Sequence, residues 1–96
     1  EYALTQNYPN PFNPTSTIGY DLPKASHVSL VVYTLLGQEV TTLVNADQQA
    51  GRYTIAFDGR GLASGMYIYR MQAVSSGAST GTPENFASSR KLLLLR

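Results

Sequence analysis

The chain has 96 residues, 43% apolar and 10% aromatic, with a formal net charge of +1 and no cysteine. That length suits one seven-stranded immunoglobulin-like sandwich and excludes a second domain, while the missing thiols exclude disulfides and thiolate metal sites. Basic residues are scattered from Lys24 to Arg96, which gives no footprint for nucleic acid, and no apolar run reaches the roughly 20 residues of a membrane span.

Residues 1–15 form a Pro/Asn-rich lead-in, and residues 1–20 have neither a basic start nor an apolar signal core, so for an exported protein the signal peptide is expected upstream or already removed. Pro9, Pro11 and Pro14 forbid a helix and push their neighbours toward extended geometry. Tyr8 and Phe12 are expected to anchor an ordered lead-in strand that caps one end of the domain, with Asn10 and Asn13 in local Asx turns; a stiff linker is the alternative. From Thr17 the chain alternates, Ile18, Tyr20 and Leu22 on one face, until Pro23 ends the strand. Val28, Leu30 and Val32 repeat the pattern, with Val31 and Tyr33 opposite, and Gly37 turns the chain after Leu35 and Leu36. A third strand is expected over Glu39 to Val44, a polar loop over Asn45 to Gly51, and a fourth strand through Tyr53, Ile55 and Phe57, broken at Asp58-Gly59. Leu62, Gly65 and Tyr67 stand in the order of a tyrosine corner, after which Tyr67, Tyr69, Met71 and Ala73 continue as an inner-facing strand. Residues 75–85 read as a mobile hairpin loop, and 86–96 as a terminal strand holding Leu92, Leu93, Leu94 and Leu95 between Arg90-Lys91 and Arg96. The fold class expected is all-β, an immunoglobulin-like antiparallel β-sandwich of about seven strands.

Nothing in this pattern assembles a catalyst. His27 is the one imidazole, read as a solvated turn residue with no nucleophile signature near it, and the acids stand singly. Asn7, Asn10, Asn13, Asp21, Asp47 and Asp58 match no calcium-loop spacing and read as turn residues. Tyr67 and Tyr69 could stack a sugar if exposed, but at period-two spacing they read as core. No metal, no cofactor and no enzymatic activity are expected.

Asn7-Tyr8-Pro9-Asn10-Pro11-Phe12-Asn13-Pro14 followed by Ile18, Tyr20, Leu22 and Pro23 resembles the opening of the C-terminal sorting domains of the type IX secretion system. Val32-Tyr33 with Leu36-Gly37-Gln38-Glu39-Val40, then Ala50-Gly51 with Tyr53, then residues 62–70 and Arg90-Lys91 with the leucines, follow that family's order; Thr34 stands where the family often has Asp or Asn. The resemblance implies a non-catalytic module on a larger secreted protein, carried through periplasm and outer membrane of a Gram-negative bacterium to the surface. Its implied partners are the type IX translocon and the surface processing machinery. Implied recognition positions are Gly65, Tyr67, Lys91, Leu92, Leu93, Leu94 and Leu95, with Pro11, Phe12, Pro14 and Gly37 keeping the shape. An unpaired terminal strand could then add to a partner's sheet, its flanking Arg90, Lys91 and Arg96 guarding against aggregation. Two other roles fit the same residues: a self-assembling extracellular filament subunit, docking on copies of itself, and a fibronectin-like or carbohydrate-binding accessory module.

Overall fold

The computed structural model describes residues 1–75 and 84–95 of the chain. Seven strands are formed: β1 (Ala3–Leu4), β2 (Thr15–Leu22), β3 (Ser26–Thr34), β4 (Glu39–Gln48), β5 (Gly51–Asp58), β6 (Gly65–Ser75) and β7 (Asn85–Leu94). They make two antiparallel sheets, in the orders β1-β2-β5 and β4-β3-β6-β7. The expected loop at 75–85 falls, for residues 76–83, outside the described residues, as does Arg96.

Alternation decides which side chains meet between the sheets, since successive residues of a strand point to opposite faces. Ile18, Tyr20 and Leu22 of β2 and Phe57 of β5 pack against Val28, Leu30 and Val32 of β3 and Tyr69, Met71 and Ala73 of β6, all buried. Leu92 and Leu94 of β7 complete the layer. Tyr20 stacks on Tyr53 at 5.3 Å between ring centroids and donates its hydroxyl to Gln48 Oε1 at 2.6 Å, which ties the smaller sheet to β4.

Two strands are longer than the sequence implies. β4 continues to Gln48, so Asn45 to Gln48 are strand and not loop, and β3 starts at Ser26, so His27 is not in a turn. The cause is cross-strand pairing. Ser26 pairs with Gln48 and His27 with Asp47, and the His27 ring bonds Asp47 Oδ1 at 2.7 Å and Asn45 Oδ1 at 2.9 Å. Polar residues are tolerated because β4 lies at the edge of its sheet. Register shifts between Leu30 and Val31 and between Val32 and Tyr33 interrupt the alternation that would otherwise have marked β4.

The lead-in is ordered, as expected, and runs from the smaller sheet to β7. Ala3 and Leu4 pair with Asp21 and Tyr20, Tyr8 bridges Thr17, and Phe12 bridges Leu94 in parallel. Its two aromatics differ. Phe12 is 2% exposed and meets Phe57 edge to face, whereas Tyr8 is 80% exposed and anchors nothing through its ring. Nor does Asn10 make a local turn: its Oδ1 accepts from Leu93 N at 2.9 Å. Phe12→Ala should therefore lower stability by about 3–5 kcal/mol, and Tyr8→Ala by no more than about 0.5 kcal/mol, as read from urea unfolding midpoints.

Candidate functional site

β6 and β7 gather most of the residues singled out above. Gly65 pairs with Leu94, Met66 with Leu93, Tyr67 with Leu92 and Ile68 with Lys91. The four leucines divide by alternation: Leu92 and Leu94 lie wholly in the core, Leu93 is half-buried on the outer face, and Leu95 is exposed. Lys91 is exposed beside them. Gly65 has φ +151 with no atom within 4 Å of where a Cβ would stand, so backbone conformation and not crowding favours glycine there. The corner is formed as the residue order suggested, the Tyr67 hydroxyl donating to Ala63 O at 2.6 Å. Both Tyr67 and Tyr69 face inward, so neither offers a sugar-stacking surface.

Gly37 sits at the same end of the larger sheet, because Thr34 pairs with Tyr67 and the turn follows directly. With φ +90 it donates its N–H to Thr34 O at 2.9 Å. The Thr34 hydroxyl accepts from Gln38 N at 3.2 Å, so the threonine supplies the turn-holding oxygen that an Asp or Asn carboxyl or amide could otherwise give.

Phe12 lies on the outer edge of β7, with Pro14 bonded nearby to Gly59. Phe12 N donates to Leu93 O at 3.0 Å and Leu95 N to Phe12 O at 3.0 Å, while Gly59 N donates to Pro14 O at 2.7 Å. Gln6 Nε2 reaches Lys91 O at 2.7 Å and Arg90 Nε reaches Leu4 O at 2.7 Å. The edge of β7 from Lys91 to Leu95 is thus occupied by the chain's own lead-in, where an open edge was expected. Arg90 serves this closure through its Nε–H. Pro11 itself is exposed.

Three residues of this closure have roles there that the sequence did not reveal. Tyr69 donates its hydroxyl to Thr5 O at 2.6 Å and accepts from Asn7 N at 2.8 Å. Asn7, 2% exposed, donates its Nδ2 to Ser16 Oγ at 2.9 Å and Pro9 O at 3.1 Å. Gly59 leaves room for Leu94 and Phe12, whose side-chain atoms would lie 3.1 and 3.3 Å from a Cβ there. Alternation marked Tyr69 as core and Asp58-Gly59 as a break, but nothing local told that the Tyr69 hydroxyl would hold the lead-in or that Asn7 would be buried.

Several further charged residues are held by protein partners. Asp21 pairs with Arg52 at 3.2 Å and Asp58 with Arg60 at 2.8 Å, the Arg60 hydrogen bonds holding the Asp58 carboxyl below its ordinary range. Hydrogen bonds from Asp47 and then Asn45 push His27 above its ordinary value. Among the described residues no three His, Cys, Asp or Glu side chains gather as a metal site. His27 and Asp47 line a groove of about 380 Å3 that also touches Ser26 and Ser75. No nucleophile and base are paired in it.

The described residues thus form a two-sheet antiparallel sandwich with a lead-in clasped to its last strand. The family model for secretion system C-terminal sorting domains matches residues 6–81, and the chain belongs to that family, the sorting domains of the type IX system. Membership carries a role as a type IX sorting signal. The matched span holds β2 to β6 and stops before β7. CopC from Methylosinus trichosporium OB3b shares the fold in its crystal structure, with a TM-score of 0.60 and 12% identity over 98% of this chain and 93% of that one. None of the curated proteins matches significantly.

Burial pushes the Tyr69 phenol above its ordinary value of 10.0, so the hydroxyl stays a donor through neutral pH. Because the folded value is the higher one, this stabilisation is intact below pH 10.0 and is lost as pH rises through the folded value. Tyr69→Phe should lower stability by about 1–3 kcal/mol at neutral pH by leaving Thr5 O and Asn7 N without their partner. Urea unfolding of the wild type should weaken between neutral pH and about pH 11, and the variant should show a smaller alkaline drop.

Proposed function

We propose that the domain is a non-catalytic sorting module that directs a secreted protein through the type IX secretion system to the cell surface. The family match over residues 6–81 carries this reading. The chemistry of the described residues is consistent with it: the single imidazole and three of the acids are engaged in pairs, His27–Asp47 and Asp21–Arg52 across strands and Asp58–Arg60 within a turn. The domain is then the cargo's label, and its partners are the translocon and the machinery that processes cargo at the surface.

In this reading Gly65 and Tyr67 shape the end of the larger sheet, and Leu92 and Leu94 seat β7 in the core so that Lys91, Leu93 and Leu95 face outward. Pro11, Phe12, Pro14 and Gly37 keep the lead-in and the β3–β4 turn in place.

Fused behind a signal-peptide-bearing reporter in a type IX-competent bacterium, the chain should bring the reporter to the cell surface or medium. Reporter left in the periplasm, while an established sorting domain works in the same strain, would reject the reading. Removing residues 91–96 is a poor test, since it also removes Leu92 and Leu94 from the core. Lys91→Gln and Leu95→Ser change the surface alone, and each should reduce export with the unfolding midpoint unchanged.

A further inference from the structure

The outer face of the larger sheet has a composition that neither the fold nor the lead-in uses. Cross-strand register lays it out in rows. Tyr33 pairs with Ile68, which pairs with Lys91, and one row further toward the β3–β4 turn Met66 pairs with Leu93. Leu35 follows Thr34, the partner of Tyr67, and so comes level with Met66. Leu35 is 58% and Leu36 91% exposed, on a turn fixed by its hydrogen bonds to Thr34. Large apolar side chains held at such exposure, contiguous with a half-buried apolar row, mark an interaction surface more often than a chance of composition.

The charges around the patch say what covers it. Six cations lie among the described residues. Lys24, Arg52 and Arg60 are ion-paired, to Glu84, Asp21 and Asp58, and Arg90 donates to Leu4 O. Arg70 and Lys91 are the two with neither an ion pair nor a hydrogen bond among the described residues, and both are exposed on this face, Arg70 pairing with Val31 and Lys91 with Ile68. The acid on the same rows, Glu39 opposite Tyr33, is engaged with the Thr42 hydroxyl.

We propose that this face, centred on Leu35, Leu36, Met66 and Leu93 with Arg70 and Lys91 at its rim, docks a partner protein whose contact surface is apolar and flanked by carboxylates. The complement is electrostatic: unpaired cations at the rim of an apolar patch steer and orient an acidic partner. A second copy is a poor occupant, because face-to-face stacking sets Arg70 and Lys91 of both copies against one another with Glu39 alone to offset them. The open edge of β7 is not an alternative docking route between Lys91 and Leu95, where residues 6–12 already hold it. The inference deepens the sorting role and rests on it for the assignment of the partner to the export machinery.

A photo-reactive benzophenone amino acid placed at position 36 of the reporter fusion in living cells tests this, with position 54, on the outer face of the smaller sheet, as control. The expected product is an adduct at 36 to a peptide of another protein in which Asp or Glu stands beside apolar residues, absent at 54. Arg70→Glu combined with Lys91→Glu should reduce it about tenfold or more. Both sites are exposed, and a thermal melt of the purified variant checks its folding; should it unfold, Arg70→Gln with Lys91→Gln replaces it. No adduct at 36, an adduct to a second copy or to lipid, or one indifferent to the charge changes overturns the proposal. Export of the fusion without the adduct sinks the patch and spares the sorting role, and the adduct without export does the reverse.

Discussion

The phenolic hydroxyl of Tyr69 joins the lead-in to the larger sheet. It rises from the middle of β6 in a wholly buried side chain and meets Thr5 O and Asn7 N, the point where the lead-in passes from the smaller sheet toward β7. A segment with three prolines in six residues cannot make a regular ladder, because proline has no N–H to give. Its position has to come from a few specific polar atoms. Tyr69, Asn7, Ser16 and Asn10 supply them, and no buried side-chain nitrogen or oxygen among the described residues is left unpaired. Such a network contributes little net energy per bond, but a misplaced lead-in would strand several buried polar groups at once, which fixes one arrangement over its competitors.

Closure of that kind changes what the strand edges can do. The outer edge of β7 is held by Phe12, Asn10 and Gln6 over its last residues. The edge strand β4 is irregular at two register shifts and carries Glu39, Asn45 and Asp47, the features that keep an exposed edge from templating another chain. With those edges of the larger sheet blunted, main-chain pairing along them is a weak route to recognition, and side chains on that sheet's face become the stronger one. The contrast between the two sheets is then informative. On the smaller sheet Arg52 is paired to Asp21, whereas on the larger sheet Arg70 and Lys91 stand beside apolar residues with no ion pair among the described residues.

Much of this was legible in the sequence wherever alternation was strong. β2, the core half of β3, β5 and β6 could be read from every second residue, and the corner at Tyr67 from the order of Leu62, Gly65 and Tyr67. Legibility failed where burial depends on partners far along the chain. Phe12 and Tyr8 look alike locally, and only Leu94 and Gly59, 82 and 47 residues further on, decide that the first is core and the second is not. Asn10 could have served its own backbone and instead serves Leu93. The polar end of β4 resembled a loop because its strand character comes from His27 and Ser26 across the ladder and not from its own residues. At the candidate site the resemblance pointed to the terminal leucines as a block, and their division between core and surface was not legible because it depends on pairing with β6.

That division bears on how a sorting label of this design would work. Lys91, Leu93 and Leu95 reach the outer face only because Leu92 and Leu94 are seated between the sheets and Gly65 and Tyr67 pair beside them. A partner that reads the outer face therefore reads the folded arrangement and not the string of leucines. The lead-in adds a second condition, since it must be clasped through Tyr69 and Phe12 before the end of β7 is held. A surface assembled from residues 33–36, 66–70 and 91–95 exists only when three distant stretches of chain have met. Recognition built on it separates a folded label from an unfolded one with no further sensor.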